Sequence, residues 1–541
     1  MCIRDRICFL LDERGIAPEQ IAAVTFTNKA AEEMGSRLEA SVGKEKSSRI
    51  KIGTFHSLCL ALLREQGAEV QLADESEQEE LAEKILKQEG LSGTARRLLR
   101  EVSARKNGET IEDPALQKAA DLYEQQLKEK GLLDFDDLIL EVLKQEEISP
   151  CGEEGILLVD EFQDINRMQY RLIRQWAGSG LFVIGDPDQA IYGFRGADPQ
   201  CFQKLEEDFP HLEKIELNIN YRSAPEILDC ALRVMAAGKR EKRSLKARKR
   251  AGGTVRIIQT ESPLAEGICI AKEINKMTGG MDMTDAQEAA AKREKHRSFS
   301  DIAVLYRTHH QAKLLEKCLK RESIPFTVTG KEPFLQDSKV CATMDFFCSL
   351  LRGETEALLA VGRRLFEHKP EESIELLADR FLPLLEKEKP QQLLQEWSRQ
   401  AGLTDSEPMK KLVDTAYFYE DVRIFFDSIM LGEEQDFKRN AAGESYCSGA
   451  VSLMTLHGAK GLEFPVVFLC GIKDGIMPMK QADEEEERRL FFVGMTRAQE
   501  ELLLLTGKPD SPFLSHMPKE LHPEGAACKP KEDKQLSLFE L

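Results

Sequence analysis

The stretch that most constrains this chain is Ile156-Leu157-Leu158-Val159-Asp160-Glu161-Phe162-Gln163-Asp164. Four apolar residues run without alternation, the pattern of a strand buried on both faces of a parallel sheet, and they stop at a cluster of carboxylates. Ligands of open α/β sheets bind outside the carboxyl ends of the strands, where Asp160, Glu161 and Asp164 would lie. One carboxylate there can hold Mg²⁺, usually through water, while a second group orients an attacking water; nucleotide hydrolysis needs both. The same residues also suit a strand followed by a solvated acidic turn. The neighbouring turns decide between the two.

At 541 residues the chain is too long for one core and predicts roughly three or four domains. Its 42% hydrophobic and 31% charged residues are ordinary for a globular protein. No apolar run approaches the ~20 residues that span a bilayer. The opening MCIRDR has no apolar region after its basic residues, so it is not a signal peptide. Thirteen Cys are scattered without a CxxC pair or a Cys/His cluster at zinc spacing, which predicts reduced thiols and a cytoplasmic protein. The net charge is −19, so any nucleic-acid binding has to come from local basic and aromatic features.

Taken in order, a helix over 7–15 ends at Gly15, a strand covers Ile21–Phe26, and Thr27-Asn28 cap a helix over Lys29–Ala40. A second strand–turn–helix unit runs from Ile50 to Arg64. Strands alternating with helices imply a parallel sheet. Residues 65–148 carry helical periodicity without a strand signal and read as an inserted helical domain. The sheet resumes over 149–223, with strands near 156–159, 181–184 and 215–217. A second α/β domain spans 224–338, with strands at 254–258, 302–306 and 326–329, and a solvated linker or insertion at 277–300. Another helical insertion covers 339–445, and the second sheet closes over 446–517 with strands at 451–455, 466–469 and 502–505. The tail over 518–541 is polar and expected to be disordered.

The turns between these elements read AVTFTNKAAEEM (23–34), GTFHS (53–57), LLVDEFQD (157–164), VIGDPDQAIYGFRGAD (183–198), NYRS (220–223), IAVLYRT (302–308), TLHGAKGLEF (455–464) and EEERRLFFVGMTRA (485–498). Together, and in this order, they resemble the UvrD/Rep/PcrA-type superfamily 1 DNA helicases from about Arg6 to Pro518. The resemblance implies two RecA-like parallel-sheet domains, each with a helical insertion, in the P-loop NTPase helicase fold. It also implies ATP and Mg²⁺ as cofactors. Asp160 would hold Mg²⁺ and Glu161 would activate the hydrolytic water. Gln189 would sense the γ-phosphate. Arg222 and Arg497 would be arginine fingers, permanent fork-shaped cations on different sheet domains, so that closure of the domains assembles the site. Tyr221 would stack on adenine and Glu463 would contact the ribose or nearby groups. For single-stranded DNA and its junctions with duplex, Phe26, Tyr192 and Phe194 would stack bases, with Thr54, His56, His457 and Lys460 near the backbone. Phe194 stands where the family often has Trp and offers a smaller stacking face. The family's direction, 3′ to 5′, is implied in the same way.

The sequence departs from the family pattern in one respect that bears on chemistry. No G-x-x-x-x-G-K-[ST] loop, whose amides and Lys cradle phosphates, occurs in it. Val328-Thr329-Gly330-Lys331 and Thr506-Gly507-Lys508 lack the first Gly and the following Ser/Thr. The expectation is a chain that starts just after that loop and, as given, hydrolyses little or no ATP. Both helical insertions look shorter than is typical of the family. The tail offers Gln535-Leu536-Ser537-Leu538-Phe539, which looks like the pentapeptide that docks bacterial repair and replication proteins on the sliding clamp. Gln535 would be the polar anchor, and Leu536, Leu538 and Phe539 would fill a groove. The expected function is an ATP-dependent DNA helicase or translocase in repair or replication. The rivals are a non-catalytic DNA- and clamp-binding adaptor, and the helicase part of a recombination helicase–nuclease, which would need a nuclease domain after Arg497.

Overall fold

The fold is built on two separate parallel sheets, seen in a computed structural model that describes residues 3–145, 148–238, 245–279, 297–329, 337–353, 358–359, 361, 371–385, 387–417, 419–431 and 449–521. The first sheet contains β1 (Ile21–Val24), β2 (Lys51–Gly53), β5 (Ile156–Val159) and β6 (Gly180–Val183), in the order β2-β1-β5-β6. Ala22 pairs with Lys51 on one side and Leu157 on the other, and Leu158 pairs with Phe182. The continuous apolar runs follow from this placement, since β1 and most of β5 are covered on both faces. Helix Ile3–Asp12 lays Ile7, Leu10 and Leu11 on Ile21, Ala23 and Leu158.

Side chains set the turns locally. Thr27 caps helix Asn28–Val42 by accepting from the Ala30 amide at 3.2 Å. Thr54 and Ser57 form a reciprocal capping box at the start of helix Phe55–Glu65. Asn166 and Gln169 do the same for helix Arg167–Trp176.

The first helical insertion follows β2, with helices Glu75–Gln88, Ala95–Lys106, Pro114–Glu129 and Phe135–Leu143. Its core gathers Leu81, Ile85, Leu98, Val102, Tyr123 and Leu127. The expectation of no strand here needs a small correction. Two-residue strands β3 (Gln71–Leu72), ahead of the first of these helices, and β4 (Leu132–Leu133), between the third and the fourth, pair in parallel. Such a pair is too short to carry a periodicity.

The second sheet is larger. It contains β9 (Thr254–Gln259), β10 (Ile302–Tyr306), β11 (Phe326–Val328), β12 (Val451–Thr455), β13 (Phe464–Leu469) and β14 (Ala498–Thr506), in the order β11-β12-β10-β13-β14-β9, all parallel. The second helical insertion lies between β11 and β12 in the chain. Its core is aromatic: Trp397 stacks on Phe346 at 4.3 Å and meets Phe347 and Phe381 edge-on. Trp397 Nε1 donates to Thr343 Oγ1 at 3.0 Å, which satisfies the one polar atom of that indole.

Two expectations are corrected. No strand forms at 215–217, where Ile215 and Leu217 are each 69% exposed. The extended backbone pairs further on, as β7 (Ile219–Asn220) with β8 (Lys246–Ala247), outside both main sheets. The compact units also divide differently from the boundary expected at 223. One unit is Met1–Asp186, Tyr192–Asp208 and Glu332–Gly443, and the other is Pro187–Ile191, Phe209–Lys331 and Glu444–Leu541. Arg222 and Arg497 therefore share a unit instead of lying on different sheet domains. The reason is local bonding: Ser223 Oγ donates to the Ala498 carbonyl at 2.8 Å, and the Ala224 amide donates to the Gln499 carbonyl at 3.0 Å. The second insertion falls in the first unit, tied there by Arg64 to Asp427 and by Arg352 to Glu77 and the Leu72 carbonyl.

Candidate functional site

In the first unit the chemistry collects beyond the carboxyl ends of strands. The Asp160 amide continues the ladder to the Val24 carbonyl at 2.9 Å, and its carboxyl then leaves the sheet. Burial, with Glu161 beside it, pushes the Asp160 carboxyl up to about 6. Glu161 adopts a left-handed backbone, φ 49° and ψ 43°, uncommon for a residue with a side chain. Gln163 donates to the Glu161 carboxylate and accepts from the Asp186 amide at 2.9 Å, so one buried amide joins the ends of β5 and β6. Gly185 allows that approach, because a Cβ there would sit 2.8 Å from Gln163 Oε1.

Two adjacent carboxylates, one of them desolvated, fit a hard divalent cation. Among the described residues no group of three His, Cys, Asp or Glu could hold a metal.

The aromatic residues form a run in the same unit. Phe26 stacks on Tyr192 at 5.3 Å and 15°, and Tyr192 meets Phe194 at 6.0 Å. Phe194 is 60% exposed, which leaves a ring face for solvent or a ligand. His56 packs edge-on against Phe135 at 6.0 Å, and burial lowers its pKa against the opposing pull of Asp136. Thr54 is buried, with its hydroxyl and amide both engaged in the cap.

In the second unit Arg222 Nε donates to Glu463 at 2.7 Å, and Gln499 Nε2 donates to the other carboxylate oxygen at 2.8 Å. The Arg222 guanidinium holds the Glu463 carboxyl below the usual range. Asn220 Oδ1 accepts from the amides of Arg222 and Ser223, which fixes the turn, and Tyr221 beside them is 67% exposed. Arg497 is 1% exposed; its Nε donates to the Val493 carbonyl at 2.8 Å and its Nη1 to the Leu462 carbonyl at 3.2 Å. Lys460 Nζ donates to the Gln189 carbonyl at 2.9 Å, which joins two of the expected residues. His457 opens the turn after β12, where Thr455 Oγ1 accepts from the Gly458 amide at 3.0 Å.

The structure thus groups Asp160 with Glu161, Phe26 with Tyr192 and Phe194, Arg222 with Glu463, and Gln189 with Lys460. Sequence reasoning missed Gln163, Gln499 and Arg489, whose Nε donates to the Ala190 carbonyl at 2.6 Å. All three lie in or beside the quoted motifs, but only coordinates show what they hold. Gln535, Leu536, Leu538 and Phe539 lie outside the described residues.

Two parallel sheets with helical insertions and an Asp-Glu pair at a strand end define a RecA-like α/β protein of the P-loop class. The family profile for the UvrD/REP helicase N-terminal domain matches residues 1–210, and that for the UvrD-like helicase C-terminal domain matches 215–417 and 419–508. The chain belongs to the UvrD-like helicase family. It is 28% identical over 594 residues to the ATP-dependent DNA helicase PcrA of Staphylococcus epidermidis, covering 93% of this chain and 78% of that one. It is 29% identical over 618 residues to the PcrA of Bacillus subtilis, covering 95% and 82%. The PcrA of Leuconostoc citreum is 29% identical over 592 residues, covering 92% and 77%.

Proposed function

We propose that this chain is the motor of an ATP-dependent DNA helicase or translocase that moves 3′ to 5′ on single-stranded DNA in repair or replication in the cytoplasm. The observation that carries the reading is the Asp160-Glu161 pair at the carboxyl end of β5, with Glu161 held in a left-handed conformation. Strained backbone concentrates where function over-determines it. Asp160 would hold Mg²⁺, which when bound neutralises charge on the transferring phosphoryl group. Glu161, positioned by Gln163, would take the proton of the attacking water. Arg222 would offer its fork to phosphate oxygens, Arg497 would follow if its helix end let it turn out, and Gln189 would report the γ-phosphate. Tyr221 presents an open ring for adenine, with Glu463 beside it for the ribose. Phe26, Tyr192 and Phe194 would stack bases, with Thr54, His56, His457 and Lys460 along the backbone.

The sequence contains no phosphate-cradling loop, so the 541 residues by themselves should hydrolyse ATP slowly or not at all. The test is single-strand-stimulated phosphate release by this chain carrying a phosphate loop grafted from the Bacillus subtilis relative. Release that falls in the Glu161→Gln form supports the motor. A graft that binds DNA but releases no phosphate contradicts it and leaves a DNA-binding adaptor as the reading. The tail pentapeptide would dock on a sliding clamp in either case, and Phe539→Ala should abolish that binding in a pull-down with purified clamp.

A further inference from the structure

The segment Lys246-Ala247-Arg248-Lys249-Arg250 carries four cations and no anion, in a chain whose net charge is −19. Lys246 and Ala247 form β8, held to β7 by the Lys246 amide on the Asn218 carbonyl at 2.8 Å; the Arg248 amide bonds the Asn220 carbonyl at 2.7 Å. Exposure alternates along it: Lys246, Arg248 and Arg250 are exposed, while Leu245, Ala247 and Lys249 are half-buried. Around β8 that is the alternation of an extended strand with one wet face, and the exposure pattern continues past a bend at Lys249. Lys249, on the inner side, adds its field to that of Arg222 in lowering the Glu463 carboxyl. Other arginines of this unit have found carboxylates: Arg222 with Glu463, Arg233 with Asp229 and Arg256 with Glu273. Among the described residues Lys246, Arg248 and Arg250 form no ion pair.

We propose that Lys246, Arg248 and Arg250 form a binding strip for the phosphodiester backbone of a nucleic-acid strand, separate from the stacking aromatics. Alternate residues of a strand lie about 6.6 Å apart, which applies to Lys246 and Arg248 and is comparable to the spacing of successive phosphates on an extended strand. Backbone pairing to β7 fixes the register of Lys246 and Arg248, and Arg250 follows one bend further on. Their attraction is independent of sequence and acts by releasing counterions. The inference rests on the reading of the chain as a DNA-binding motor and adds a contact to it.

The experiment is equilibrium binding of a fluorescent oligo-dT to the full chain across a salt series, for the native protein and for Lys246→Ala/Arg248→Ala/Arg250→Ala. Removing three phosphate contacts should flatten the slope of log K against log salt by about 2 for a single strand. Circular dichroism melting should be unchanged, because these side chains are exposed and unpaired. Equal slopes overturn the inference while leaving the motor reading in place. Equal slopes with weaker binding of a fluorescent ATP analogue assign the strip to nucleotide phosphates and overturn it too. If neither protein binds the oligonucleotide, the functional reading itself fails, and the strip with it.

Discussion

The two sheets present their chemistry at different ends. In the four-stranded sheet, Phe26 follows β1, Thr54 follows β2, Asp160 follows β5 and Asp186 follows β6, all near carboxyl ends. In the six-stranded sheet, His457 lies beyond the carboxyl end of β12, but Glu463 and Arg497 each stand one residue before β13 and β14. Residues 456–463 carry the chain from the carboxyl end of β12 to the amino end of β13, on the far side of β10, with one 3₁₀ turn, His457–Ala459, and no α-helix. Parallel strands ordinarily need a dozen or more residues for that return. The first sheet therefore follows the general rule for α/β ligand sites. The second departs from it, because one short crossover delivers His457, Lys460 and Glu463 in succession, and the start of β14 adds Gln499 to the Arg222–Glu463 pair.

If the first sheet holds the reactive carboxylate, Glu161→Gln in the loop-grafted chain should lower single-strand-stimulated phosphate release by about 10²–10⁴-fold, the usual contribution of a positioned base. A smaller loss than tenfold would move the chemistry elsewhere. The two arginines of the second unit should separate next. Arg497→Ala removes a buried guanidinium from the carbonyls of Val493 and Leu462, so urea unfolding should show a loss of roughly 2–4 kcal/mol. Arg222→Ala breaks a partly exposed pair and should cost less than about 1 kcal/mol of stability. Equal costs would erase the distinction between a locked and an available arginine.

Asp160→Asn should give an effect of opposite sign. The folded Asp160 carboxyl is raised to about 6 from an ordinary 3.8, so its protonated form favours the fold, and that stabilisation is lost as pH rises through about 6. Without divalent cation, the Asn form should be more stable than the native chain at pH 7 by on the order of 2 kcal/mol, and near-equal below pH 4. Thermal melting at the two pH values checks it.

Much of this was legible in the sequence. Strand β10 was expected at 302–306 and β12 at 451–455, and both form there, because each is a short apolar run between turn residues and is buried throughout or nearly so. The acidic stop after Val159 located the carboxylates for the same reason. The segment at 215–217 misled because apolar residues at alternate positions suggest a half-buried strand, whereas both large side chains there are exposed. The burial of Arg497 was invisible, since a sequence does not say which carbonyls a guanidinium reaches. Nor could it show Thr54 as a capping residue with its hydroxyl committed, or Gln163 joining two strand ends.

The most direct test of the central claim is the affinity of the chain for single-stranded and duplex DNA of equal length, measured by fluorescence anisotropy with native protein and with Phe194→Ala. The aromatic run of Phe26, Tyr192 and Phe194 predicts preference for the single strand, and a loss at Phe194→Ala of about 1 kcal/mol, roughly fivefold, at the low end for a stacked base. Equal affinity for both forms, untouched by the substitution, would contradict a single-strand grip at this site.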